Sequence, residues 1–137
     1  MRANKRYTNM KTDYLYLNNR DELYRIDVSK IVYIEGDGNY TNVVQKNKLK
    51  ACVCINLSGM QKLLSDSLRE RATMFVRVGK GFIVNMNFIY RIHPFKQLLV
   101  MSDGESFAYK IECSKESLKA LKETMVNIAK YKSQTAE

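Results

Sequence analysis

From Tyr14 onward the chain is cut into short segments in which apolar and polar residues alternate, and a period of two places successive side chains on opposite faces of an extended strand. Such segments span residues 14–17, 23–26, 31–34, 40–45 and 49–55, with Asn18-Asn19-Arg20-Asp21, Gly36-Asp37-Gly38-Asn39 and Asn47 between them at the spacing of a β-meander. The period changes over residues 58–71, where Met60, Leu63, Leu64 and Leu68 share one helical face, and Ser58 with Gln61 resembles a capping box. Alternation then resumes at residues 75–78, 82–84, 88–92, 97–101 and 106–111, with Ser102-Asp103-Gly104-Glu105 as a hairpin turn. A final helix is signalled from Ser114 by Leu118, Leu121, Met125 and Ile128, a narrow stripe suited to docking on the sheet or on another copy. The expected fold is therefore mostly β, an elongated arrangement of short antiparallel sheets of about ten strands with one short central helix and a C-terminal helix.

A length of 137 residues supports one core and no second full domain. The pattern divides it into a flexible basic arm or linker at 1–13, a domain at 14–131 and a frayed tail at 132–137. No apolar run approaches the length of a spanning helix, and the basic N-terminus has no apolar stretch behind it, so membrane insertion and secretion are not expected. Cys52, Cys54 and Cys113 form no C-x-x-C pair, so reduced thiols in a cytoplasmic setting are expected. Cys52 and Cys54, at i and i+2 among Ala51, Val53 and Ile55, read as small buried hydrophobes rather than metal ligands.

Charge gives the first functional indication. The formal net charge is +9, which favours nucleic acid or an anionic membrane surface as partner. No acid lies between Asp37 and Asp66 or between Glu70 and Asp103, while Lys46, Lys48, Lys50, Lys62, Arg71, Arg77, Lys80, Arg91 and Lys96 do. Such a distribution marks an anion-binding face.

Catalytic signals are few. His93 is the only histidine, placed at a strand end before Pro94 with no nucleophile motif, and reads as locally bonded. Gly36-Asp37-Gly38 lacks the third glycine and helix of a dinucleotide loop, and Gly79-Lys80-Gly81 lacks the remaining parts of a Walker loop. An enzyme is not expected, nor any cofactor or metal. The two helices lie too far apart for a helix-turn-helix, so any base reading falls to strands or loops.

The order of segments is itself informative. The run Ile31-Val32-Tyr33-Ile34-Glu35-Gly36-Asp37-Gly38-Asn39-Tyr40-Thr41-Asn42-Val43, a following helix, and Phe75-Val76-Arg77-Val78-Gly79-Lys80-Gly81-Phe82-Ile83-Val84-Asn85 together resemble the LytTR family of bacterial DNA-binding domains, the output domains of response regulators in two-component systems. The resemblance implies sequence-preferring binding of double-stranded promoter DNA for transcriptional regulation, with loops in successive major grooves, often at paired direct repeats, and a homodimer allowed on the DNA. It places reading loops at 39–42, at 79–81 led by Arg77, and at Tyr109-Lys110. Asn39, Thr41, Asn42, Arg77, Lys80 and Lys110 are the implied DNA-binding residues, and Lys46 and Lys48 beside a hairpin suit phosphates. Asn85, just past a strand, suits closing a turn rather than touching DNA.

Many family members are similar in having His-Arg-Ser or His-Asn-Ser at 79–81 and Ser-Arg at 109–110. A point charge here replaces a planar fork, which implies weaker or altered discrimination between bases. The residues before the first strand are too few for a receiver domain, so a stand-alone member or an excised C-terminal domain is expected. The alternative reading is a β-rich module that binds single-stranded RNA or an acidic protein through the same basic face.

Overall fold

Backbone pairing sorts ten strands into antiparallel sheets of two, five and three in a computed structural model that describes residues 13–132. Strands β1 (Tyr14–Asn18) and β2 (Leu23–Asp27) form the first sheet. The second, in the order β5-β4-β3-β7-β6, contains β3 (Ile31–Asp37), β4 (Tyr40–Gln45), β5 (Lys50–Val53), β6 (Phe75–Val78) and β7 (Phe82–Asn85). The third, in the order β10-β9-β8, contains β8 (Ile89–His93), β9 (Leu98–Ser102) and β10 (Ala108–Glu112). Two α-helices complete the fold, α1 (Leu57–Leu68) and α2 (Lys115–Lys132). The expected mostly-β class is the observed one. Apart from Asp13 and Lys132, the arm expected at 1–13 and the tail expected at 132–137 lie outside the described residues.

The five-stranded sheet is the middle layer because both of its faces are apolar. Ile34, Val43, Ala51 and Ile83 pack on one face against Leu57, Met60 and Leu64 of α1 and against Leu15, Leu17 and Ile26 of the two-stranded sheet. On the other face Val78 and Val84 meet Leu99, Met101 and Ile111 of the three-stranded sheet and Leu118 and Leu121 of α2. Each fully buried Leu, Ile or Met here contributes about 1.5 to 3 kcal/mol of transfer free energy. The apolar stripe of α2 thus docks on its own sheets.

Local details differ from the sequence reading in two places. Helix α1 starts two residues earlier than the Ser58–Gln61 pair suggests: Asn56 is the cap, its side-chain oxygen accepting from the Gly59 amide at 2.8 Å. Cys52 and Cys54 are exposed, whereas Ala51 and Val53 are buried. The reason is that β5 is an edge strand, and only the face it shares with α1 is covered. Cys113 alone is a buried thiol, and burial together with the neighbouring Glu112 pushes it up to about 11.

Asn85 closes a turn as its position suggests, and it does more. Its amide nitrogen donates to the Ile31 carbonyl at 2.8 Å while its oxygen accepts from the Asn87 amide at 2.9 Å. Ile31 adjoins an irregularity in β3, between Ile31 and Tyr33, that lets both Val32 and Tyr33 reach the second core. At the β9–β10 turn the Asp103 carboxylate accepts from the Ser106 hydroxyl and from the Glu105, Ser106 and Phe107 amides, which hold it well below the usual carboxylate range. His93 accepts at Nδ1 from the Lys96 amide at 3.3 Å, the local bonding expected of it. No helix among the described residues is long and apolar enough to cross a membrane.

Candidate nucleic-acid interface

Two turns are joined at one end of the five-stranded sheet. Pairing of Glu35 with Phe82 continues into a bond from the Gly36 amide to the Gly81 carbonyl at 2.8 Å, so the β3–β4 turn with Asn39 lies beside the β6–β7 turn with Lys80. Both side chains are exposed. Gly79 sits at φ +64°, a left-handed backbone that favours glycine, and a Cβ there would stand 2.8 Å from Ser117 Oγ and displace that hydroxyl. Ser114 caps that helix by accepting from the Ser117 amide at 3.1 Å. Lys80 therefore projects from a turn braced by a helix, beside a cleft of about 470 Å³ that also includes Glu112 and Ser114.

Arg77 contributes to this brace. It lies on the opposite face of β6 from Val76 and Val78, where Nη1 donates to Gln61 Oε1 of α1 at 2.9 Å and Nη2 donates to the Lys80 carbonyl at 3.3 Å. The guanidinium expected to lead a reading loop instead ties that loop to α1. Thr41 requires a plainer correction. At 0% exposure it is sealed beneath α1, because it shares a face of β4 with Val43, and it presents nothing to a ligand. Its hydroxyl has no hydrogen-bond partner among the described residues. Thr41→Val removes this unpaired oxygen at nearly constant shape, so the variant should be about 1 kcal/mol more stable in chemical denaturation, with duplex affinity unchanged.

The opposite end of the sheet is cationic. Lys46 and Lys48 of the β4–β5 hairpin meet Lys30, which arrives because Ile31 pairs with Gln45 and the Lys46 amide donates to the Lys30 carbonyl at 2.9 Å. With Asn47 and Ser106 these lysines line a cleft of about 480 Å³. Lys46 Nζ stands 5.8 Å over the Phe88 ring. Lys30 lies sixteen residues from Lys46 in sequence and follows an acid, Asp27; only strand pairing reveals it as a member of this group. Six residue steps separate Tyr40 from Lys46, about 20 Å at strand rise.

Between the two ends, cross-strand partners share a face, so Asn42, opposite Cys52, and Val44, opposite Lys50, define a strip along the β4–β5 edge. Asn42 is half-buried while Lys50 and Cys52 are exposed. Half-buried Glu35, opposite Asn42, is the acid on this strip. Lys110 lies within β10 rather than in a loop, on its outward face opposite Val100, which in turn lies opposite Arg91. Its neighbour Tyr109 points inward, donating its hydroxyl to the Gln45 carbonyl at 2.9 Å and packing edge-on against Tyr33. That burial raises the pKa of both phenols. Among the described residues no carboxylate lies within 4.0 Å of the Lys46, Lys48, Lys80 or Lys110 nitrogens.

The structure thus brings together Asn39 with Lys80, and Lys46 with Lys48, leaves Asn42 between the pairs, turns Arg77 to α1 and buries Thr41. This is an arrangement for meeting an extended polyanion. The LytTr DNA-binding domain family model matches residues 21–126. Among solved structures, the chain is similar in fold to the LytTr DNA-binding domain of a Bacillus cereus protein described as a methyl-accepting/DNA response regulator, at 20% identity and TM-score 0.55, over 82% of this chain and 95% of that one. No curated protein sequence matches the chain.

Proposed function

Because the chain belongs to the LytTr family of DNA-binding domains, we propose that it regulates transcription by binding double-stranded promoter DNA with sequence preference, through its two paired turns. The observation that carries this reading is the Gly36–Gly81 hydrogen bond, which holds Asn39 and Lys80 side by side on braced turns. Asn39 presents both a donor and an acceptor to base edges, and Lys80 donates to guanine O6 or N7 in the major groove. Asn42 and Lys110 make the adjoining contacts. Lys30, Lys46 and Lys48, about half a helical turn of DNA away, bind phosphates and fix register without reading bases. Each copy occupies one element of a paired direct repeat, and copies meet as a homodimer on the duplex.

This division of labour has a direct test. Lys80→Ala should weaken specific duplex binding by about 1 to 3 kcal/mol, measured by fluorescence anisotropy against a selected duplex. Three phosphate-contacting lysines, Lys30, Lys46 and Lys48, predict a slope of log affinity on log salt of about −2.7. Binding that ignores salt, or that is tighter to single strands than to duplex, would reject the proposal. The second outcome would favour single-stranded RNA recognition instead.

A further inference from the structure

The face of α2 turned away from Gly79 forms a second feature. Helix α2 presents Ser117, Ala120 and Leu121 toward Val76 and Gly79, and on its other flank Lys119, Lys122, Val126 and Lys130 border a groove of about 560 Å³. Ile92 and Phe95 from β8 and the β8–β9 turn close the far side. Phe95 is 73% exposed, an unusual position for a phenylalanine. That turn is held from several sides. The Gln97 amide donates to the Pro94 carbonyl at 3.0 Å, the Cys113 amide donates to the Gln97 carbonyl at 3.2 Å, and Gln97 adopts φ 54°. The ring is also held in place from α2, with Lys115 Nζ 4.8 Å and Lys119 Nζ 5.7 Å from its centroid.

An exposed aromatic ring flanked by two lysines, beside Ile92 and Val126 and inside a rim of further lysines, is the anatomy of a hot spot. We propose that this groove docks an acidic amphipathic helix of a partner protein, with Phe95 and Val126 taking its apolar face and Lys119, Lys122 and Lys130 taking its carboxylates. Charge complementarity selects the occupant: Glu123 is the only acid among the lining residues. A second copy of a chain of net charge +9 would set lysine rim against lysine rim. Duplex DNA would use the lysines but would leave Phe95 and Val126 without an apolar partner. The inference goes beyond the DNA-binding reading and does not depend on it, since none of these residues belongs to the proposed duplex face.

The test uses a fluorescein-labelled synthetic peptide with Leu and Phe at i, i+3, i+4 and i+7 among Glu and Asp, and a scrambled peptide of equal composition. The full chain should bind the first in the micromolar range and the second at least tenfold more weakly. Phe95→Ala should weaken peptide binding at least tenfold, and Lys119→Glu with Lys122→Glu should abolish it, with duplex affinity within twofold of wild type for both. These positions are on the surface, so the variants retain the fold, which circular dichroism checks. Absence of peptide binding, equal binding of the scrambled peptide, or binding unaffected by both variants would overturn the proposal. A tenfold loss of duplex affinity in the lysine variant would also overturn it and assign the groove to DNA, and a concentration-dependent dimer abolished by Phe95→Ala would overturn it in favour of self-association.

Discussion

Replacing Asn85 by leucine should destabilise the fold by about 3 kcal/mol and lower the thermal midpoint by about 10 °C. Asn85 is 1% exposed, and leucine there leaves the buried Ile31 carbonyl without its 2.8 Å donor and the Asn87 amide without its acceptor. Losing one buried bond and orphaning its partner is among the few mechanisms that give a single substitution an effect of this size. Asn85→Asp separates the two bonds. A carboxylate can still accept from Asn87 but cannot donate to Ile31, so this variant should also be unstable at neutral pH. The desolvated carboxyl beside a carbonyl has a raised pKa in the folded state. The variant's deficit should therefore shrink on acidification, as the protonated form recovers a donor, and grow as pH rises through the folded value. Denaturant titration of both variants at two pH values measures this. A loss under 1 kcal/mol for Asn85→Leu would show that the β3 irregularity is held by other contacts.

Reversing the charge at the hairpin end should have the largest effect on binding. Lys30→Glu, Lys46→Glu and Lys48→Glu together remove three phosphate contacts and add repulsion, so duplex affinity at low salt should fall on the order of 100-fold or more. The salt slope should flatten by about 2.7. Preference between a selected duplex and a scrambled one should persist, because phosphate contacts fix register and base contacts discriminate. Lys80→Ala should show the inverse pattern, a smaller loss of affinity with a larger loss of preference. Lys30 and Lys48 are exposed and Lys46 half-buried at the mouth of one cleft, and none lies in the core, so folding should survive their replacement. Affinity unchanged by the triple variant would remove this end of the sheet from the interface.

The strands, both helices and the turns with Asn39 and Lys80 were legible in the sequence, because alternation, glycine position and period change are local signals. What was not legible depended on which face a neighbour covers. Thr41 and Asn42 are adjacent in an alternating strand, and sequence alone cannot say which of them lies under α1. Cys52 and Cys54 read as buried for the same reason, since nothing local marks β5 as an edge strand. Arg77 had the chemistry of a reader, but Gln61, sixteen residues away, claims its guanidinium. Lys30 escaped notice because only the register of β3 against β4 brings it to the Lys46–Lys48 hairpin. Phe95 gave no signal beyond its place after a proline; its importance comes from α2 lysines that meet it only in the folded chain.

Under the proposed function, duplex DNA meets the turn end and the lysine hairpin of one sheet. The most direct measurement is a titration of the isotope-labelled full chain with a selected duplex, followed by amide chemical shifts. The largest changes are expected at Gly38–Tyr40, Gly79–Gly81 and Asn47–Lys48, with smaller ones at Lys110 and little at Phe95 or Val126. Changes confined to Tyr90–Gln97 and the second half of α2, with the two turns undisturbed, would contradict it.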